Sequence, residues 1–212
     1  MSTLAALSFA AMATTVSSTS VSPTPLPPSS STTATSNLPA GRYRLEVVVK
    51  ARASVPLVGA STTTTVSLVD IADDGSASQR VCSIETKGRG YVARPLLTAL
   101  EALPPQLYRF TIDGDRVRAD PGPLHLGKEK PLPMEVIVTG IGRFLVDVES
   151  VGHAVLDGRR TNDGVRGTVD VKQSKQTIKR GLPITIDGDT TVDTAAFTLV
   201  RIVDERDPRD CR

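Results

Sequence analysis

Between residues 42 and 203 the chain mostly alternates hydrophobic with polar residues, which is the pattern of β-strands. In the stretch 43–51, Tyr43, Leu45, Val47 and Val49 alternate with polar residues, and only Val48 breaks the pattern. A period of two places the apolar side chains on one face of a strand and the polar ones on the other. This stretch therefore predicts a half-buried strand with one face in water.

Similar alternation, or a run of β-branched residues, recurs along the chain and predicts about ten strands. After the first strand they are Thr63–Ile71, Gln79–Thr86, Tyr108–Ile112, Val117–Ala119, Arg143–Glu149, His153–Leu156, Val165–Gln173, Ile184–Ile186 and Phe197–Val203. Many short strands at near-regular spacing are typical of an all-β protein. The predicted fold is a mainly antiparallel barrel or sandwich.

Asp-Gly dipeptides predict tight turns, because glycine readily adopts the positive φ that such turns need. They occur at 74–75, 113–114, 157–158, 163–164 and 187–188. The pentapeptide Thr-Ile-Asp-Gly-Asp occurs at 111–115 and again at 185–189. Either a β unit is duplicated or two turns have converged on the same chemistry, and the poorly matching flanks favour convergence.

One stretch predicts a helix, and another predicts a boundary. Pro95 suits the first position of a helix, leucines follow at 96, 97, 100 and 103, and Pro104-Pro105 ends the pattern. A helix of some ten residues on or inside the sheet is expected. The stretch Pro121–Pro133, with four prolines, is unsuited to a central strand and is the natural boundary between two halves of the domain.

The first 41 residues differ in character, because they contain no Asp, Glu, Lys or Arg. Residues 1–13 include the apolar run Leu4–Ala13, which fits a signal peptide and is too short to span a bilayer, although no basic residue precedes it. Residues 14–41 are rich in Ser, Thr and Pro and predict a disordered linker. Residues 42–212 form the predicted β domain, and the expected location is the periplasm or the extracellular space.

Composition narrows the function classes. Hydrophobic residues make up 39% of the chain, but aromatic residues only 3%, and there is no Trp. The net charge of +2 provides no overall field for nucleic acid, and no segment is long and apolar enough for a transmembrane helix, so neither partner is predicted. No nucleotide-binding glycine motif occurs, and no cofactor is predicted.

Cys82 and Cys211 are the only cysteines. In an exported protein an even number of cysteines indicates a disulfide, and only one pairing is available. This bond would close a loop of about 130 residues. A metal or nucleophile site would need further ligands or a base that the sequence does not place nearby.

Acidic residues near the second Asp-Gly-Asp give a weak calcium candidate formed by Asp187, Asp189 and Asp193. The spacing around Asp113 and around Asp187 does not match an EF-hand, so solvated turn residues are the simpler interpretation. The two histidines, His125 and His153, have no zinc-binding spacing around them, and no other metal site is predicted.

Three hypotheses for function follow. The first is a non-catalytic exported β module that binds a partner or serves as a structural component. The second is a carrier of a small apolar ligand inside a β-barrel, which a ring of about ten strands is able to enclose. The third is a hydrolase with dispersed residues, in which His153 would act with Asp147 or Asp157.

The C-terminal third carries a resemblance. Its residues are Val165–Val169, Gln176–Ile178, Ala196–Arg201 and the late Cys211. In this pattern the chain resembles uncharacterised exported β-rich proteins of myxobacteria and their relatives. The resemblance implies export and a β-rich fold, but it implies no activity. The Asp-x-Asp-Gly-Asp-Gly segment frequent in that group has no counterpart at 134–140, so the resemblance implies no calcium site.

Overall fold

The computed structural model describes residues 38–53, 59–128, 130–180 and 190–203. Within these residues lie eleven strands and one short helix, and every strand pairing is antiparallel. In chain order the elements are β1 (Gly41–Ala53), β2 (Ala60–Ile71), β3 (Ser76–Gly88), β4 (Tyr91–Pro95), α1 (Leu97–Glu101), β5 (Gln106–Asp113), β6 (Arg116–Ala119), β7 (Pro123–Leu126), β8 (Leu132–Val138), β9 (Gly142–Thr161), β10 (Gly164–Arg180) and β11 (Thr190–Arg201). The predicted all-β antiparallel class with one short helix is confirmed.

The strands form a single ring-like sheet. From β10 the hydrogen-bonded order runs through β11, β1, β2 and β3, then through β4 and β8 to β9, which pairs with β10 again. A second route from β3 to β9 passes through β5 and β6. The pair β4–β8 and the pair β5–β6 therefore connect β3 to β9 at different positions along these two long strands. For this reason the ring is not a regular barrel.

One predicted turn lies inside a strand. Arg143–Glu149 and His153–Leu156, predicted as two strands, are parts of the single 20-residue strand β9, and Asp157-Gly158 lies within it. A Cβ atom at Gly158 would lie 2.6 Å from the carbonyl oxygen of Arg166 and 2.8 Å from Cζ of Phe197. The glycine therefore permits the close approach of β10 and of a core aromatic ring, instead of forming a turn. The other Asp-Gly dipeptides among the described residues lie at strand ends, as predicted.

Other boundaries also differ. The helix is half the expected length, because Pro95 ends β4 and only Leu97–Glu101 is helical. The strands β4, β7 and β8 were not predicted, and β7 lies within the proline-rich stretch 121–133. Strands from both sides of that stretch belong to the same sheet. The predicted strand Ile184–Ile186 lies outside the described residues.

Two apolar clusters line the inner face of the ring. The larger one fills the end where β5 and β6 pair, and it is built around Tyr43, Val69, Phe110, Val165 and Leu199. The smaller one lies under β4, β8 and the first half of β9, and it comprises Tyr91, Ala93, Met134, Val136, Val146 and Val148. Burial of these side chains is the main favourable contribution to folding.

A line of polar side chains, among them the buried Ser67, Gln79 and Thr86, lies on the inner face of β2, β3 and β5. Tyr108 donates a hydrogen bond of 2.9 Å to Oε1 of Gln79, whose Nε2 donates one of 3.0 Å to Oγ of Ser67. Further along the same strands, the hydroxyls of Thr63 and Thr86 lie 2.9 Å apart. Burial raises the pKa of Tyr108 far above its usual value, so the phenol stays protonated and remains a donor.

Candidate functional site

A groove of about 740 Å³ lies on the outer face of the sheet, where β1, β2, β3, β4 and β8 meet α1. Its position follows from strand alternation. On β1, Tyr43 and Leu45 are buried on the inner face, so Arg44 and Glu46, which line the groove, project outward. Likewise Ala93 and Val136 are buried inside, and their neighbours Arg94 and Glu135 line the groove.

The apolar part of the groove comes mainly from the segment that contains α1. This segment is fixed at its start by the backbone N–H of Leu96, which donates a 2.9 Å hydrogen bond to the carbonyl oxygen of Pro133. Leu100 points into the protein and is 2% exposed, whereas Leu96 and Leu97 are 36% and 53% exposed. Together with Val66 on β2 they form an apolar surface that is open to solvent.

The charged side chains of the groove are arranged in pairs of opposite sign. Arg44 contacts Glu46 at 2.8 Å, and Lys87 contacts Glu85 at 2.6 Å. Both of these pairs join residues two apart on the same face of one strand.

The third arrangement is better shielded and centres on Glu135. Its side chain is only 13% exposed, and it accepts hydrogen bonds of 3.0 and 2.9 Å from Nε and Nη2 of Arg94. Its other carboxylate oxygen lies 2.9 Å from Nη1 of Arg143. A carboxylate held by two guanidinium groups is fixed in place. Positive and negative groups are therefore compensated within the groove, next to an apolar surface, and this combination suits the binding of a ligand that has both apolar and polar parts.

His153, which the sequence offered as a catalytic candidate, lies on β9 outside the groove. Its Nε2 is 2.7 Å from Oδ1 of Asp120, and this hydrogen bond is the main cause that lowers the pKa of the aspartate. Asp157, one of the two carboxylates expected beside the histidine, is instead bonded to Arg116 at 2.5 and 2.9 Å. The arrangement around His153 is a partly exposed hydrogen bond between β9 and the segment that precedes β7.

The other predicted site residues are only partly described. Cys82 lies on β3, where it is the extra residue of a β-bulge between the partners of Val66 and Ser67, and it lines the groove. Cys211 lies outside the described residues, so the disulfide stays a prediction.

Of the calcium candidates, Asp187 and Asp189 also lie outside the described residues, and Asp193 is bonded to Arg52 at 2.7–3.0 Å. The described residues contain no group of three or more His, Cys, Asp or Glu side chains placed to hold a metal.

The fold and groove define a β-rich protein with an open amphipathic surface. Comparison of the chain with models of protein families, with curated proteins and with solved structures finds no match. Among the described residues no helix is long and apolar enough to cross a membrane.

The groove could not be found by searching the sequence for motifs. Its residues come from positions 44 to 135 and meet only because β1, β2, β3, β4 and β8 are neighbours in the sheet. The one local signal was the leucine-rich segment between prolines, which predicted the helix. Nothing in that segment indicates that two of its leucines remain exposed.

Proposed function

We propose that the protein is a non-catalytic binding module and that the groove beside α1 is its ligand site. This proposal rests on one observation. The exposed side chains of Leu96 and Leu97 lie in the same groove as charged side chains that already form ion pairs with one another. Large apolar side chains exposed in a concave surface mark binding sites more often than isolated surface leucines do. The charged pairs supply hydrogen-bonding groups that orient a ligand.

A short extended segment of a partner polypeptide is the ligand class that fits best. Small apolar ligands are usually enclosed, with most of their surface buried in a pocket. This groove leaves Leu97 about half exposed, so it contacts one side of a ligand and does not surround it. A peptide provides apolar side chains for the leucines, and its backbone and polar groups can approach Arg44, Glu46 and Arg94.

The test is selection of peptides from a random heptapeptide library on the immobilised full chain. The affinities of selected peptides are then compared for the wild type, Leu97→Glu and Leu107→Glu. Leu107 is a matched control, because it is a 76% exposed leucine on β5 that does not belong to the groove residues. We expect binding to weaken at least about tenfold in Leu97→Glu, roughly 1.4 kcal/mol, and to be unchanged in Leu107→Glu. Equal affinities for the two variants would overturn the proposal.

We also propose that the protein is exported, with the Ser/Thr/Pro-rich residues 14–41 connecting the β domain to its N-terminus. The support is the apolar run at 4–13 and the absence of charge before residue 42. N-terminal sequencing of protein isolated from its own host should find a chain that starts near Thr14 or later. A cytosolic protein that retains Met1 would contradict export.

A further inference from the structure

Three arginines lie directly opposite one another on three neighbouring strands of the sheet. Arg116 of β6 is paired with Arg159 of β9, which is paired in turn with Arg166 of β10. Val117 and Val165 are buried on the inner face, so their neighbours Arg116 and Arg166 project outward, and the paired Arg159 shares that side. With about 4.8 Å between strands, this arginine row is roughly 10 Å long across the sheet.

Packing of the protein does not require the arginine row. The side chains of Arg116, Arg159 and Arg166 are 55%, 80% and 62% exposed, so they take no part in the core. Like charges that lie directly opposite on neighbouring strands destabilise a sheet, and the row contains two such pairs in succession. An anion bound over the row would remove this repulsion, because it would contact guanidinium groups from several strands at once.

The row has carboxylate partners, but most of them lie at one end of it, in or beside the turns. Arg159 contacts Asp115 of the β5–β6 turn through Nη1 at 3.1 Å, and Arg166 contacts Asp163 of the β9–β10 turn through Nη2 at 3.3 Å. Asp113, the last residue of β5, lies at the same end. Exposed ion pairs of this kind contribute about 0–1 kcal/mol, so the anionic groups of a ligand can replace them.

The next row along the same strands is also accessible. Arg118 of β6 is paired with Asp157 of β9, which is paired with Thr168 of β10. Asp157 accepts hydrogen bonds from Nε and Nη2 of Arg116, and it lies 3.4 Å from Nε of Arg118. On these two rows of β6, β9 and β10, four arginines therefore share a single carboxylate, and the outer face of the three strands is basic.

We propose that this face of β6, β9 and β10 binds a linear acidic polysaccharide that lies across the strands. Guanidinium groups bind carboxylate and sulfate groups through paired hydrogen bonds, and the arginine row offers three of them in line. Thr198 of β11 lies opposite Arg166 and extends the row with a hydroxyl, which can bind the hydroxyl groups of a sugar. The site is separate from the groove, and the proposal does not depend on the function assigned to the groove.

Two other acidic polymers fit this face less well. Single-stranded nucleic acid is held largely by stacking of its bases on aromatic side chains, and residues 116–119, 155–161 and 164–170 contain no Phe, Tyr or Trp. An acidic protein would need apolar or aromatic anchors at the centre of its interface. The outward side chains of the two rows are Arg, Asp and Thr, so they provide no such anchor.

The test measures binding of fluorescent polymers to the full chain by anisotropy at about 150 mM salt, where weak surface attraction is largely screened. The probes are oligosaccharides of heparin, which carry sulfate, and of polygalacturonate, which carry only carboxylate. A neutral dextran oligosaccharide, a poly-glutamate peptide and an oligo-dT strand of similar length are the comparisons. We expect one or both acidic oligosaccharides to bind, the neutral one not to bind, and the peptide and the oligonucleotide to bind at least about tenfold more weakly, or about 1.4 kcal/mol.

Two double variants complete the test. Arg159→Gln/Arg166→Gln should weaken binding of the acidic oligosaccharide at least about tenfold. The matched control Arg52→Gln/Arg143→Gln removes two arginines that are 69% and 68% exposed, each also paired with a carboxylate, from other parts of the sheet. It changes the net charge equally and should bind like the wild type.

Both variants should keep the circular dichroism spectrum of the wild type, because all four side chains are exposed. The proposal is overturned if neither acidic oligosaccharide binds, or if the two variants weaken binding to the same extent. It is also overturned if the poly-glutamate peptide or the oligonucleotide binds as tightly as the acidic oligosaccharides, since the face would then recognise negative charge alone.

Discussion

Tyr91 lies across the backbone of Gly88 so closely that a Cβ atom at position 88 would overlap the tyrosine ring. The two residues are directly paired in the β3–β4 ladder, and Tyr91 is one of the buried residues of the smaller core cluster. Glycine at position 88 therefore gives the tyrosine ring the space it occupies inside the sheet. The contact joins the end of β3 to β4 and helps to fix one of the two strand pairs that close the ring.

The first prediction is that Gly88→Ala destabilises the protein by about 1–3 kcal/mol, the usual effect of forcing an extra methyl group into a packed core. Urea denaturation followed by fluorescence or circular dichroism measures the change. Gly152→Ala is the matched control, because a Cβ atom at that strand position meets nothing within 4 Å and needs no unusual φ. The control should change stability by less than about 1 kcal/mol. Equal losses in the two variants would show that packing against Tyr91 is not the cause.

The second prediction concerns the hydrogen bond from Tyr108 to Gln79. Tyr108→Phe removes the hydroxyl donor, so the amide oxygen of the buried Gln79 loses this hydrogen bond. An unpaired buried acceptor should destabilise the protein by about 1–3 kcal/mol. The double variant Tyr108→Phe/Gln79→Leu removes both partners and should regain part of this loss, since two apolar groups have no unpaired polar atom. The free energies of unfolding of the wild type and the variants, measured in urea, decide the point. If Gln79→Leu only adds to the loss, the interpretation is wrong.

The third prediction is a loss of stability in acid. Hydrogen bonds lower the pKa of four aspartates below the ordinary value of 3.8: Asp74 through Ser76, Asp120 through His153, Asp157 through Arg116 and Asp163 through Thr161. Between the folded and unfolded pKa values the unfolded chain binds more protons, so stability rises with pH in that range. The contribution should be complete above about pH 5 and decline as the pH falls through 4 toward the lowered values.

The measurement is the free energy of unfolding between pH 2.5 and 7 at low and high salt. All four carboxylates are on the surface, so the decline should be modest and smaller in high salt. Asp157→Asn removes the partner of Arg116, and this variant should show a shallower dependence on pH below 4 than the wild type. An identical pH profile for wild type and Asp157→Asn would contradict the prediction.

The sequence predicted those parts of the fold that depend on local pattern. Alternation identified β1, and the Asp-Gly dipeptides at 74–75 and 113–114 correctly marked hairpin turns, because both signals lie within a few residues. The same logic failed at Asp157-Gly158, where the glycine is required by a residue of another strand and not by a turn. It also missed β8, whose pairing with both β4 and β9 overrides the two prolines near its start.

Closure of the ring and formation of the groove lie beyond local pattern altogether. Each depends on which strands become neighbours, and the strand β9 contacts β6, β7 and β8 along one edge while β10 covers the other. Glu135 is an example of a groove residue that local sequence pattern does not identify. It follows a methionine in an ordinary alternating stretch, and only the sheet places it between Arg94 of β4 and Arg143 of its own hairpin partner.

The last prediction concerns the disulfide between Cys82 and Cys211, which the sequence favours for an exported chain. A covalent link that closes a loop of about 130 residues restricts the unfolded chain, and bonds of this kind typically stabilise a domain by about 2–5 kcal/mol. We therefore expect Cys82→Ala/Cys211→Ala to fold but to melt at a lower temperature. The single variants should show the same loss as the double variant, because either one prevents the bond.

Thiol titration of the purified chain provides the direct check. In the denatured protein before reduction, a thiol reagent should detect no free cysteine. After reduction, the same reagent should modify both cysteines. Because Cys82 occupies a bulge of β3 and lines the groove, the bond would also hold residue 211 at the edge of that groove. Reduction should then alter the affinity of groove-selected peptides as well as the melting temperature. Two reactive thiols before reduction, in protein isolated from an oxidising compartment, would show that the pairing is wrong.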